Sequence, residues 1–262
     1  MPSEMSQGRF HSLVSLFYTL ILFLIFVALI AWALRPLFEF LEHRSYKQRR
    51  KLDFAVTIER AEAGDMYSQL DAGMEYDFGV GAVDKDEKLA VLWYRKAAEQ
   101  GHPLAQYHLG RLFEEGKGVE RDYSQAFTWY RKSADKGYSG SQFRLAEFYL
   151  DGRGVQSDVS LGIQWLRKAV AQGDPESIFR LGLCFYEGLG VGKDWTEAYA
   201  LVSISLNFDP RNLFPALKFK GDDKFTRGVK STLARWELEM SASQLELARR
   251  RAKEIEKEIK AR

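Results

Sequence analysis

A block of 36 residues recurs along this chain. The segment GKGVERDYSQAFTWYRKSADKG, which begins at Gly116, returns at Gly152 as GRGVQSDVSLGIQWLRKAVAQG. The glycines, the aspartate, the tryptophan and the Arg-Lys pair keep their order and spacing. The spacing extends in both directions, with one extra residue near Ala82 in the first copy. Because a fixed period of roughly 20 to 50 residues is the signature of a solenoid, the sequence predicts four stacked copies within residues 65–210.

Each copy has the pattern of two helices. Leu109 and Leu112 lie at helical spacing ahead of a Gly-x-Gly turn, where glycine supplies the positive φ that ends a helix. The second helix is predicted to begin at an aspartate N-cap, as at Asp122 and Asp194. A Gln or Glu three residues later predicts a reciprocal capping box. Proline is expected to open the first helices at 103 and 175.

Small residues recur on both helices of each copy. Glycine or alanine stands at positions 73, 110, 146 and 182 of the first helices and at 90, 126, 162 and 198 of the second. Small side chains let two helix backbones approach closely, which predicts tight pairing within each copy. Trp93, Trp129 and Trp165 are expected to fill the space between successive pairs.

The copies resemble the Sel1-like repeat, a relative of the tetratricopeptide repeat. The shared pattern is A-x-x-x-L-G-x-x-Y-x-x-G-x-G-V-x-x-D-x-x-x-A-x-x-W-Y-x-K-A-A-x-x-G. The resemblance implies an all-α fold, an α-solenoid of helix-turn-helix repeats, with a linker and a capping C-terminal helix in residues 211–262. It also implies a non-enzymatic adaptor that binds protein partners, often in bacterial envelope-associated complexes.

The tail carries its own apolar pattern. Leu245, Ala248, Ala252 and Ile255 recur at three- and four-residue spacing in a segment rich in Glu, Lys and Arg. This spacing predicts a helix that covers the last repeat and then projects as a charged helix.

An uncharged run of 23 residues occupies positions 12–34, after an N-terminal tail of residues 1–11. As a helix rising ~1.5 Å per residue it would span roughly 34 Å, enough to cross a hydrocarbon core of about 30 Å. The sequence therefore predicts one transmembrane helix ahead of the solenoid. A cleaved signal peptide is the alternative, because Ala31 to Ala33 resemble a cleavage site, although the run exceeds the ~7–15 residues of a signal core.

Residues 35–64 are predicted to form a basic juxtamembrane segment and a lead-in helix. Six Lys or Arg lie within residues 35–51, whereas Arg9 alone precedes the apolar run. The positive-inside bias therefore predicts a single-pass membrane protein, in the inner membrane if bacterial, with cytoplasmic repeats. We assign the basic segment to anionic lipid and not to nucleic acid. The alternative is a periplasm-facing adaptor in envelope assembly or motility.

The sequence contains no catalytic signature, which predicts no enzyme activity, no cofactor, no metal and no small-molecule substrate. Cys184 is the single cysteine and lies in an apolar helix pattern, which predicts a core residue. The four histidines lack the spacing of metal ligands on a helix. A hydrolase of the β-lactam-binding type found among relatives is the alternative, but no serine here has an identifiable partner base.

One column of residues is a candidate partner-binding site. Steps of 36 residues connect His108, Arg144 and Arg180, one on each of three successive first helices. Solenoids bind extended or helical partner segments along such faces. We therefore predict that this column binds an acidic or helical segment of a protein partner. The alternative is that these side chains are solvated and balance nearby acids.

Overall fold

The computed structural model describes residues 34–35, 46, 48–79, 83–208 and 224–261. The chain divides into two units, Met1–Val56 with Gly81–Val83 and Thr57–Val80 with Asp84–Arg262, and the second unit holds the repeats. In the first unit, residues 48–56 are helical. Within the described residues, no helix is both long enough and apolar enough to cross a bilayer. The predicted span, residues 12–34, lies outside the described residues except for Leu34.

The second unit is built from paired helices. Their bounds are α1 (Met66–Phe78), α2 (Glu87–Glu99), α3 (Pro103–Glu115), α4 (Tyr123–Asp135), α5 (Ser139–Asp151), α6 (Val159–Val170), α7 (Pro175–Glu187), α8 (Trp195–Ser205), α9 (Lys224–Glu239) and α10 (Ala242–Lys260). Helices α1 to α8 form four consecutive pairs, and the second helix of each pair packs on the first helix of the next. The described residues contain no strand, so the predicted all-α solenoid is confirmed.

An aspartate starts the second helix of every pair. Its carboxylate accepts hydrogen bonds of 2.8–3.0 Å from backbone N–H groups of the first turn, at Asp86, Asp122, Asp158 and Asp194. The predicted return bond from Gln125 to Asp122 is wrong, because the Asp122 N–H donates to the carbonyl of Phe113 at 3.0 Å. Asp194 donates to Phe185 in the same way. Each aspartate therefore caps its own helix and bonds back to the preceding one.

The Gly-x-Gly turn joins the two helices of a pair and also sets the distance to the preceding pair. Its first glycine ends the helix in the left-handed conformation, as Gly152 does at φ 69°. Its second glycine approaches the preceding repeat so closely that a Cβ on Gly154 would lie 2.5 Å from the Tyr123 carbonyl oxygen. Equivalent close approaches join Gly118 to Glu87 and Gly190 to Val159. A side chain at the second glycine would therefore force two repeats apart.

Small residues bring the two helices of a pair together, as predicted. A Cβ on Gly110 would lie 2.9 Å from the Tyr130 ring, and one on Gly182 would lie 2.7 Å from the Val202 side chain. The repeated tryptophans are buried, with exposed fractions of 6, 7 and 6% for Trp93, Trp129 and Trp165. The predicted proline starts are also confirmed, since residues 103 and 175 open α3 and α7.

Two helices follow the array where the sequence suggested one. Helix α9 begins at Lys224, and Ser241 starts α10 with a reciprocal capping box to Gln244. The predicted apolar stripe of α10 faces the protein, with Ala248, Ala252 and Ile255 buried. The expectation that the helix end projects freely is wrong, because Ile259 packs against the core.

Helix α10 is joined to α8 by an ion pair as well as by apolar packing. Arg251 donates two hydrogen bonds to the carboxylate of Glu197, at 2.8 and 3.2 Å. The predicted role of Glu197 in a reciprocal capping box is therefore replaced by a contact with the closing helix. The last repeat is covered along its outer side by α10.

We expect Gly154→Ala to lower the free energy of unfolding by about 2–4 kcal/mol, because alanine is strained at positive φ and its Cβ overlaps the Tyr123 backbone. Urea unfolding followed by circular dichroism at 222 nm measures this change.

The matched control is Gly228→Ala in the interior of α9, where a Cβ meets no atom within 4 Å. There alanine should stabilise the protein by about 0.5–1 kcal/mol, because it restricts the unfolded chain. An unchanged unfolding midpoint for Gly154→Ala would contradict the close approach between repeats.

Candidate partner-binding face

The first helices of the repeats form one face of the array, which we call the first-helix face. Helices α3, α5 and α7 present equivalent residues at steps of 36 positions. One row is aromatic and contains Tyr107, Phe143 and Phe179; the adjacent row is the predicted column His108, Arg144 and Arg180. All six are half-buried except His108, which is only 9% exposed.

His108 is a buried, uncharged ring at neutral pH. It stacks on Tyr94 with the ring centroids 4.9 Å apart and the planes 10° from parallel. Burial, with a smaller contribution from the Arg111 cation, lowers the pKa of His108 to about 4. Its Nδ1 atom is buried without a hydrogen-bond partner. His108 therefore supports the first-helix face by packing and not by charge.

Arg144 lies among aromatic and acidic groups. Its guanidinium carbon lies 5.7 Å from the centroid of the Phe143 ring. Burial acts to lower the pKa of Arg144, but the neighbouring Tyr107, Tyr130 and Glu114 outweigh burial and raise it above its usual range. The side chain is therefore a permanent cation in a half-buried position.

Arg180 has a carboxylate partner within the protein. Its Nε donates to Glu147 Oε1 at 2.7 Å, and the two side chains are 22% and 19% exposed. Burial acts to lower the pKa of Arg180, but the hydrogen bond from Arg180 to Glu147 raises it overall. Because Glu147 lies on α5 and Arg180 on α7, the pair links two repeats. The column thus combines a neutral ring, a cation among phenols and an ion pair.

Two repeats contain an acid beneath the first-helix face that we did not predict. Asp77 is 4% exposed, accepts a hydrogen bond from the Tyr94 hydroxyl at 3.2 Å and pairs with Arg111. One repeat later, Glu114 accepts from the Tyr130 hydroxyl at 2.7 Å. The last two repeats hold Leu150 with Leu166 and Tyr186 with Val202 at the corresponding positions. The sequence did contain a signal for these two pairs, because a tyrosine directly follows the repeated tryptophan at Tyr94 and Tyr130.

Helix α9 covers the first-helix face in the fourth repeat. The ring of Phe225 packs edge-on against Phe179 at 5.7 Å, and Trp236 stacks on Tyr186 at 4.7 Å. Trp236 is fully buried. Among the described residues, the ring contacts of α9 are with α7 and α8, and none is with α3 or α5. In the fourth repeat the first-helix face therefore holds a helix of the same chain.

The remaining candidates for reactive chemistry are Cys184 and clusters of metal-ligating side chains. Cys184 is fully buried, as predicted, and burial raises its pKa to about 11. Within the described ranges, no three His, Cys, Asp or Glu side chains gather as metal ligands.

A cleft of ≈330 Å³ opens at the C-terminal end of the array. Its apolar walls come from α6, α7, α8 and α10, and its rim carries Arg167 and the Arg251–Glu197 pair. Because Arg251 also bonds Glu254 and Glu258, its charge is matched inside the protein.

Known proteins share this arrangement. The Sel1 repeat model matches residues 67–102, 103–138, 139–174 and 175–202, more than half of the chain. A protective antigen from uropathogenic Escherichia coli, which displays an SLR fold, is 30% identical with a TM-score of 0.68, over 79% of this chain and 41% of that one. A Sel1 repeat protein from Oxalobacter formigenes is 29% identical with a TM-score of 0.55, over 64% and 68%.

This chain thus spans about two fifths of the length of the Escherichia coli antigen. No curated protein matches the chain significantly.

We expect the folded protein to lose stability as the pH falls from 6.5 to 4. The unfolded chain protonates His108 near its ordinary pKa of 6.5, whereas the folded protein does so near 4. The unfolded state therefore binds more protons in this window, and the loss from His108 reaches up to about 3 kcal/mol at its lower end. Urea unfolding at half-unit pH steps measures this dependence.

The matched variant is His108→Phe, which keeps a ring against Tyr94 but cannot protonate. It should flatten the pH dependence between 6.5 and 4, leaving the contributions of other groups. A His108 imidazole that titrates near 6.5 in the folded protein, measured by NMR, would contradict its burial as a neutral ring.

Proposed function

The chain belongs to the Sel1 repeat family, and from this premise we propose that it is a membrane-anchored adaptor that holds a protein partner on its first-helix face. Sel1 repeat proteins generally mediate protein–protein interactions. The adaptor is non-enzymatic in this proposal and needs no cofactor. The complex it serves is associated with a bacterial envelope.

The observation that carries this proposal is the packing of α9. The chain itself places an amphipathic helix on the first-helix face at the fourth repeat, through Phe225 and Trp236. The equivalent aromatic residues of the two preceding repeats, Tyr107 and Phe143, are half-buried. A partner helix with an aromatic anchor at the position of Phe225 would find a similar surface there, whereas Glu114 and Leu150 replace the Tyr186 ring that meets Trp236.

The predicted column supplies the polar part of this proposed site. Arg144 is a half-buried cation, and it would meet a carboxylate of the partner with little competition from water. Arg180 would share its charge between Glu147 and the partner. His108 would support the aromatic row from below. An acidic helical segment fits this combination.

The anchor of the proposal is the apolar run at residues 12–34, with the basic flank that follows it. The flank favours a cytoplasmic position for the repeats because of the positive-inside bias. An adaptor tethered in this way would hold its partner close to the membrane surface.

We expect Arg144→Gln together with Arg180→Gln to reduce recovery of the partner at least tenfold. The measurement is crosslinking in native membranes, followed by purification and mass spectrometry. The loss should follow from removal of two charge-assisted contacts, each worth about 1.5–3 kcal/mol.

The control is Arg249→Gln together with Arg250→Gln, which removes two exposed cations from α10. It should leave partner recovery unchanged. Equal recovery with both double variants would show that the column is ordinary surface.

A fusion test addresses the anchor and its orientation. In a bacterial host, alkaline phosphatase fused after Arg262 should be inactive and green fluorescent protein at the same site should fluoresce, because the repeats are cytoplasmic. Active phosphatase would instead support the periplasm-facing adaptor. Release of either fusion by carbonate washing of membranes would contradict the anchor.

A further inference from the structure

The second helices of three consecutive repeats each carry an Arg-Lys pair in their later half. The pairs are Arg95–Lys96, Arg131–Lys132 and Arg167–Lys168, at steps of 36 residues. We call this set the basic ladder. Every member is exposed except Arg95, which is half-buried. The ladder lies on the second helices, so it is a surface separate from the first-helix face.

A tryptophan positions each lysine of the basic ladder. The ammonium groups of Lys96, Lys132 and Lys168 lie 4.0, 4.1 and 3.7 Å from the ring centroids of Trp93, Trp129 and Trp165. The rings are buried, so they hold the lysines from below. A cation over an indole face gains stability while its outer side stays available to an anion. The three ammonium groups are therefore held at regular positions before any ligand binds.

Successive Arg-Lys pairs of the basic ladder lie close to each other. The guanidinium carbon of Arg131 lies 5.4 Å from the centroid of the Trp165 ring, which also carries Lys168. Two cations from successive repeats thus share one indole. Positive charge from two successive repeats therefore meets at Trp165, and α6 itself contains no carboxylate.

The protein neutralises little of this charge. Among the described residues, Arg131 alone of the ladder has a carboxylate within 4 Å, and that pair with Asp135 is exposed. An exposed pair contributes little and is easily exchanged for another anion. The helix dipole favours cations near the end of a helix, which explains their placement, but it does not neutralise a lysine that faces solvent.

The ladder contrasts with the charge of its surroundings. Residues 52–223 contain 27 Asp and Glu against 20 Lys and Arg. Because the basic ladder is positive and the rest of the repeat region is negative, the ladder attracts a short anion that does not extend beyond it. It repels a long polyanion that extends beyond the row, because charges within a Debye length of about 8–10 Å still act.

We propose that the basic ladder is a second protein-binding surface, which takes an acidic polypeptide segment running along the repeats. A linear segment suits a row with one Arg-Lys pair per repeat, because successive carboxylates of the segment can each contact a successive pair. Single-stranded nucleic acid fits less well, because the tryptophans lie beneath the lysines and offer no face for base stacking. This surface does not depend on the first-helix face, so the two proposals can fail separately.

A defined peptide tests the ladder without knowledge of the natural partner. The probe is a short fluorescein-labelled peptide of eight glutamates, which stays on the row, and the protein is the full-length chain in nonionic detergent. Fluorescence anisotropy should show binding that weakens at least tenfold between 50 and 200 mM salt. The triple variant Lys96→Gln, Lys132→Gln and Lys168→Gln should weaken binding at least tenfold at 50 mM salt.

The matched control is the triple variant Lys230→Gln, Lys253→Gln and Lys257→Gln, which removes the same charge from exposed positions of α9 and α10. It should change the peptide affinity less than twofold, with an unchanged helical signal at 222 nm in both triple variants. Equal effects of the two triples would overturn the ladder as a site.

Competition identifies the class of ligand. Unlabelled peptide should displace the probe at lower concentration than an eight-nucleotide oligouridylate or dihexanoyl phosphatidylglycerol does. Stronger displacement by the oligouridylate or the lipid would overturn the assignment to acidic polypeptide. Arg144→Gln with Arg180→Gln should leave peptide binding unchanged, which separates this site from the first-helix face.

Discussion

The double use of one aspartate in every repeat is the constraint on which the array depends. Its carboxylate starts the second helix, while its own N–H donates to a carbonyl near the end of the first, as Asp122 does to Phe113. The two helices are thus fixed to each other at their shared end. The glycine turn between them, at Gly118 and Gly154, then contacts the preceding repeat. Because the same contacts recur in every 36-residue repeat, equivalent residues line up along the first helices and along the second helices.

Contacts within one repeat, or between neighbours, could be predicted from the sequence. The caps at Asp122 and Asp194, the glycine turns and the close helix pairs depend on residues that lie within one period of each other. Local pattern and local structure therefore agree. The reciprocal capping box failed at Asp122 because the Phe113 carbonyl competes successfully for the same N–H. A pattern of residue types cannot show which of two acceptors is closer.

The parts that could not be predicted depend on contacts between distant or unrelated segments. Helix α9 has no repeat pattern, and Trp236 reaches Tyr186 only through the folded geometry of the last pair. The column His108, Arg144 and Arg180 was visible as a periodic row, but its electrostatic character was not. Burial makes the first residue neutral, and the Glu147 carboxylate matches the charge of the third. Equivalent positions of the repeat therefore differ in charge and hydrogen bonding because the residues around them differ.

The modular contacts have a consequence for how such an array can change in length. Among the described helices, the main contacts of each pair are with its neighbours, and the closure by α10 lies at the C-terminal end of the array. Duplication of one 36-residue block between α3 and α6 would therefore add a Gly-x-Gly turn, an aspartate cap and an indole without disturbing either end. Growth by whole blocks would lengthen both surfaces by the same increment, so the array could be matched to a longer partner by gene duplication alone.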